Sequence, residues 1–222
     1  MTMNVFEVMG PVMVGPSSSH TAGAVKIAYI ARQLLRDDVA KAEILLHGSF
    51  LATGVGHGTD RALVAGLLSM KPDDERIPNS FSYAEEAGME YSFGRVELRH
   101  AHPNSALLKL HGKSGNHLEL VGSSIGGGAI NIDKIDGLDA NFAANYPTLI
   151  IHNVDEPGHV ADIATFLEKH SVNIATLKLC RDNRGGRAVM VIECDQEVPQ
   201  EFVENLRKRK GILKVSYLSM ED

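Results

Sequence analysis

The chain has 222 residues, 44% apolar and 23% charged, which is the balance of an ordinary folded protein long enough to bury a core unaided. Its 22 basic and 28 acidic residues give a net charge of −6, against a nucleic-acid or anionic-membrane binder, which needs clustered positive charge. No apolar run approaches the ~20 residues that span a bilayer, Lys26 is the first basic residue so no charged leader is read, and the two thiols, Cys180 and Cys194, are expected to be reduced in a cytoplasmic protein.

In chain order, Ala24, Ile27, Ala28, Ala31, Leu34 and Leu35 form one helical face. Gly15-Pro16-Ser17-Ser18-Ser19-His20-Thr21 stands at that helix's start. A helix N-terminus presents unpaired N–H groups and partial positive charge, so these hydroxyls make a candidate cradle for a carboxylate or phosphate. His20 adds a group that titrates near neutral pH. A capped helix beside a neutral surface histidine fits the same residues. Ala42–His47 is predicted as a strand and Thr59–Met70 as a helix. Between them lies His47-Gly48-Ser49-Phe50-Leu51-Ala52-Thr53-Gly54-Val55-Gly56-His57-Gly58-Thr59-Asp60, a strand-to-helix loop where α/β proteins place ligands. His57 and Asp60 bring an acid–base group and a carboxylate there, although the spacing fits neither the dinucleotide fingerprint nor a P-loop. A flexible turn capped by Thr59 or Asp60 is the plain alternative.

Residues 81–90 are read as a short helix, and Arg95–His100, Ala106–Leu110 and His117–Val121 as strands, the last two joined by a hairpin at Lys113-Ser114-Gly115-Asn116. His100 and His102 would share a strand face, but lack a third metal ligand. Gly122-Ser123-Ser124-Ile125-Gly126-Gly127-Gly128 suggests backbone close to a ligand or another chain, and equally a β-bulge and bend.

The pattern changes at Tyr146-Pro147, which predicts domains 1–147 and 148–222. In the second, Thr148–His152 is a strand, Asp155 a helix cap, and Val160, Ile163, Ala164 and Leu167 a helix face. Asn173–Cys180 and Arg187–Cys194 read as strands around the turn Asp182-Asn183-Arg184-Gly185-Gly186. A helix through Phe202, Val203 and Leu206 and a strand Ile212–Leu218 complete a ferredoxin-like βαββαβ order. The fold class is α+β: a mixed α/β N-terminal domain followed by this module.

Gly15 to Thr21, together with Thr53-Gly54-Val55-Gly56-His57-Gly58-Thr59-Asp60, resemble the β-chain signatures of the iron–sulfur-dependent L-serine dehydratases (L-serine ammonia-lyases). Gly126–Gly128 lies where that family is glycine-rich, and residues 148–222 resemble an ACT domain, a module that senses amino acids. The resemblance implies an N-terminal domain like the intervening domain of D-3-phosphoglycerate dehydrogenase. It also implies deamination of L-serine to pyruvate and ammonia, with a [4Fe–4S] cluster acting as Lewis acid on the serine hydroxyl. Two cysteines cannot hold that cluster, so the resemblance makes this the β chain and assigns the cluster to a cysteine-bearing α subunit, with no metal held here.

On the same resemblance His57 is the favoured α-proton base, with His20 a second candidate for acid–base work or substrate positioning. Ser17, Ser18, Ser19, Thr21, Thr53, Gly54 and Asp60 are the candidate substrate-binding residues. In the ACT module, Asn153, Gly158, His159 and Val160, with Asn173 and Ile174 from a neighbouring unit, would bind a small amino-acid effector and accompany self-association. The alternative is a non-catalytic, amino-acid-binding regulatory subunit.

Overall fold

A computed structural model describes residues 12–220. They pack as two units that divide between Asp136 and Gly137, ahead of the change of pattern at Tyr146-Pro147.

In the first unit, a π-helical turn, Ser18–Gly23, leads into α1 (Ala24–Leu35). Then come β1 (Val39–Leu46), α2 (Gly48–His57), α3 (Thr59–Leu67), a 3₁₀ turn at Ile77–Asn79 and α4 (Ser80–Glu86). Strands β2 (Glu90–Arg95), β3 (Ser105–Gly112), β4 (His117–Gly126) and β5 (Ala129–Ile135) follow. Within this unit the strand order is β2-β1-β3-β4-β5. The β1–β2 pair is parallel and the other pairs are antiparallel. Ala42, Ile44 and Leu46 of β1 are buried at every second position, the period of a strand with one face in the core. Helix α1 packs on α3 and against β4, and Ile27, Leu34, Leu63, Leu67, Ile44, Leu108 and Leu120 fill the space between helices and sheet.

The second unit opens with β6 (Leu138–Phe142). Then come β7 (Thr148–Val154), α5 (His159–Lys169), β8 (Ile174–Arg181), β9 (Arg187–Cys194), α6 (Gln200–Arg207) and β10 (Ile212–Leu218). The four-stranded sheet has the order β10-β7-β9-β8 with antiparallel neighbours. Leu149, Ile151, Met190 and Ile192 bury against Ile163 and Leu167 of α5 and Phe202, Val203 and Leu206 of α6. Phe166 stacks on Phe202 with ring centroids 3.7 Å apart.

Three local expectations change, and one open alternative is decided. The segment Gly48–His57 is a helix, not a loop. Its carbonyls at Gly54 and Val55 are taken by the N–H of Gly58, whose φ of 70° is left-handed, so the chain stops there and restarts as α3. The strand expected at Arg95–His100 lies earlier, at Glu90–Arg95, because its register runs from Lys41↔Glu90 to Leu46↔Arg95 and β1 ends at Leu46. His100 and His102 therefore sit in irregular chain rather than on one strand face. Asp155 does not cap α5, which starts at His159 after Gly158. Its carboxylate instead accepts from Arg181 Nη1 at 2.7 Å and Gly185 N at 3.0 Å, contacts that hold it below the usual carboxylate range. The Gly126–Gly128 run forms the bend between β4 and β5 with a bulge at Ser124/Gly126.

Candidate functional site

The π-helical turn begins because Ser17 is extended (φ −141°) and its hydroxyl accepts from His20 N at 3.1 Å. That capping turn aims the His20 ring at α2. There Nε2 lies 3.1 Å from both Ser49 Oγ and Thr53 Oγ1, which are one helical turn apart on the same face. Thr53 donates its hydroxyl to Ser49 O at 3.0 Å. Its oxygen can then only accept from the ring, whereas Ser49 can either donate or accept. Phe50 is fully buried and packs edge-on against His20, with centroids 5.5 Å apart.

His57, at the end of α2, places its ring 4.9 Å from that of His20, centroid to centroid. It is exposed, and His20 is half-buried. Burial lowers the pKa of His20 from 6.5 and the neighbouring His57 charge lowers it further, while a backbone contact from Ser49 pulls the other way. The net shift favours the neutral imidazole. Two buried hydroxyls lock the histidine-bearing segments crosswise: Thr21 Oγ1 donates to His57 O at 3.1 Å, and Thr59 Oγ1 to His20 O at 2.9 Å.

The expected residues thus divide by position. Ser17, Ser18, Ser19, His20, Thr53 and His57 gather at one end of the unit, half-buried or exposed. Thr21 lies beneath them, 2% exposed, its hydroxyl engaged by backbone, so it braces the site. Gly54 is buried against Thr59, and the Asp60 carboxylate accepts from Arg61 N at 2.8 Å in the first turn of α3. Ser49 and Phe50 contact His20 although the sequence singled out neither, and Thr59, read there as a possible cap, donates instead to His20 O. The helical spacing of Ser49 and Thr53 was the available signal.

In the second unit, Asn153, next to last in β7, is buried, with Nδ2 donating to Val154 O at 2.7 Å and Oδ1 without a partner. His159 Nε2, in the first turn of α5, is also buried and without a partner. Asn173 and Ile174 begin β8. Both β7 and β8 run antiparallel to β9, hence parallel to one another, so these two residues stand at the opposite end of the sheet from Asn153 and His159. One chain does not bring the six residues together.

Two thiols are too few for a [4Fe–4S] cluster, even one that leaves an iron open to substrate and takes only three thiolate ligands. Cys180 lies on β8 and Cys194 on β9, and burial pushes the Cys194 thiol up to about 11. Among the described residues no three His, Cys, Asp or Glu side chains group as a metal site, and no helix is long and apolar enough to cross a membrane.

Comparison with known proteins agrees with this architecture. The family model for the serine dehydratase beta chain matches residues 4–89, and that for the ACT domain matches residues 147–211. The probable L-serine dehydratase beta chain of Bacillus subtilis is 37% identical over 97% of this chain and 98% of its own length. The L-serine dehydratase beta chain of Peptoniphilus asaccharolyticus is 40% identical over 90% of each. The D-3-phosphoglycerate dehydrogenase of Archaeoglobus fulgidus is 27% identical over 89% of this chain but only 37% of its own length, so the likeness extends to part of a larger enzyme. With near full-length identity to two beta chains and an ACT domain at its C-terminal end, the chain belongs to the L-serine dehydratase beta-chain family.

Proposed function

We propose that this chain is the β subunit of a cytoplasmic, two-chain L-serine ammonia-lyase that converts L-serine to pyruvate and ammonia. A separate, cysteine-bearing α subunit holds the [4Fe–4S] cluster. The observation that carries this reading is the convergence of His20 and His57, ring centroids 4.9 Å apart, at a serine-lined helix start. The exposed His57 ring takes the α-proton of serine, a suitable task for an imidazole near neutral pH. His20 Nε2 is already engaged by Ser49 and Thr53, so its part is to orient substrate. Ser17, Ser18 and Ser19, with the free N–H groups of the turn, receive the substrate carboxylate. Asn153, Gly158, His159 and Val160 of one chain, with Asn173 and Ile174 of a second copy, bind a small amino-acid effector.

The test is anaerobic copurification with the α chain, followed by pyruvate formation and α-deuterium exchange from labelled serine. His57→Ala is expected to abolish exchange and leave α–β assembly intact. Loss of exchange in His20→Ala alone moves the base to His20. Near-normal turnover in both variants returns the chain to a purely regulatory, amino-acid-binding subunit.

A further inference from the structure

The serine pair at the end of β4 connects to the histidine site through a buried polar relay. Ser123 is 2% exposed, on the sheet face opposite Gly122, whose neighbour is Ile27 of α1. Its hydroxyl donates to Asp133 Oδ2 on β5, while Asn131 Nδ2 donates to Asp133 Oδ1 at 2.6 Å. On the other side Ser123 Oγ lies 2.9 Å from Ser105 Oγ, the residue directly opposite it on β3. Ser105 is wholly buried and donates to His102 O, 2.5 Å away. The loop so held is tied again by Ser124 N donating to Asn104 O at 2.9 Å.

That loop carries α2. No side chain caps this helix, and its free N–H groups at Ser49 and Phe50 donate instead to Pro103 O at 2.8 and 3.4 Å. The N–H of His47 donates to Ser105 O at 3.0 Å. Gly48 permits this approach: its φ is +54°, and a Cβ there would lie 2.6 Å from Pro103 O. From Ser49 the chain of contacts ends at His20 Nε2.

We propose that Asp133 is a positioning residue: through Ser123, Ser105 and the 102–104 loop its carboxylate fixes the first turn of α2 and holds Ser49 against His20. The proposal rests on the reading of His20 and His57 as the reaction's groups. Its test separates the two ideas by using the full isolated chain as well as the assembled enzyme. Asp133→Ala is expected to free the first turn of α2 and admit water to His20. In imidazole ¹⁵N–¹H spectra of the isolated chain, the His20 titration then moves up toward the ordinary value near 6.5. In the assembled enzyme kcat/KM is expected to fall about 10- to 100-fold, the cost of a modest misplacement. The exchange Asn131→Asp with Asp133→Asn reverses donor and acceptor and keeps an oxygen for Ser123, so both readouts are expected to return. Should Asp133→Ala fail to fold, Ser123→Ala removes the contact to Asp133 directly and is expected to move the His20 titration in the same direction. Unfolding at lower temperature with the His20 titration unmoved overturns the relay. A moved titration with normal turnover upholds the relay and overturns the catalytic reading of the histidines.

Discussion

The two units use histidine in contrasting ways. In the first, His20 and His57 come from separate helical segments of one chain, with His20 resting on Ser49 and Thr53 and the Thr21 and Thr59 hydroxyls donating to backbone carbonyls behind them. In the second, buried His159 Nε2 and Asn153 Oδ1 lack partners, and the other expected ligands lie at the far end of the sheet. Under the proposed function, a cluster completed inside one chain would be preorganised for chemistry. A divided set of polar groups would suit a ligand that bridges copies, because unsatisfied buried polar atoms are costly until something pairs with them.

The strongest challenge to this contrast is His57→Ala, for which turnover of the assembled enzyme is expected to fall ~10²–10⁴-fold, the range for a positioned acid–base group. Asn153→Ala is expected to leave basal turnover unchanged. In calorimetric titration of the full chain with serine and related small amino acids, it should abolish the heat attributed to the second unit. Loss of basal turnover in the Asn153 variant breaks the division of labour.

A pair of core truncations sharpens it. Phe50→Ala and Phe202→Ala remove similar rings, 0% and 3% exposed, and each is expected to cost about 3–5 kcal/mol in denaturant unfolding. Only Phe50 touches His20, so only its truncation should alter the His20 resonances.

Smaller effects concern protonation and capping. His20 has its pKa lowered from 6.5, so its share of stability is present above 6.5 and declines as pH falls through the folded-state value. His20→Gln is expected to remove that part of the acid-side loss, read by thermal unfolding between pH 7 and 5. Ser17→Ala is expected to cost about 1 kcal/mol through its lost cap, with a raised serine requirement when assembled.

The second unit was legible almost strand by strand, because its elements are short, strongly patterned and separated by turn residues. Arg187–Cys194 and Ile212–Leu218 fall at the predicted bounds. In the first unit, glycine spacing misled: Gly54 and Gly56 read as loop, yet lie inside α2, and only Gly58 breaks the helix. The Ser-Ser-Ser-His start of α1 was found because capping is a local rule, expressed within three or four residues.

By itself, then, the sequence determined the α+β composition, the βαββαβ module, a thiol count too small for a [4Fe–4S] cluster, and two candidate histidines, His20 beside a serine run and His57 among glycines. Only the tertiary structure decided that His20 rests on Ser49 and Thr53, that Thr21 and Thr59 brace the opposite backbone, and that Asp133 accepts from Ser123, which faces Ser105. Those contacts join residues 29 to 39 apart in the chain, or link three neighbouring strands. Helical and strand periodicity report which face a residue occupies over a few turns. They carry no information about which distant hydroxyl the closed sheet brings within 3 Å of an imidazole.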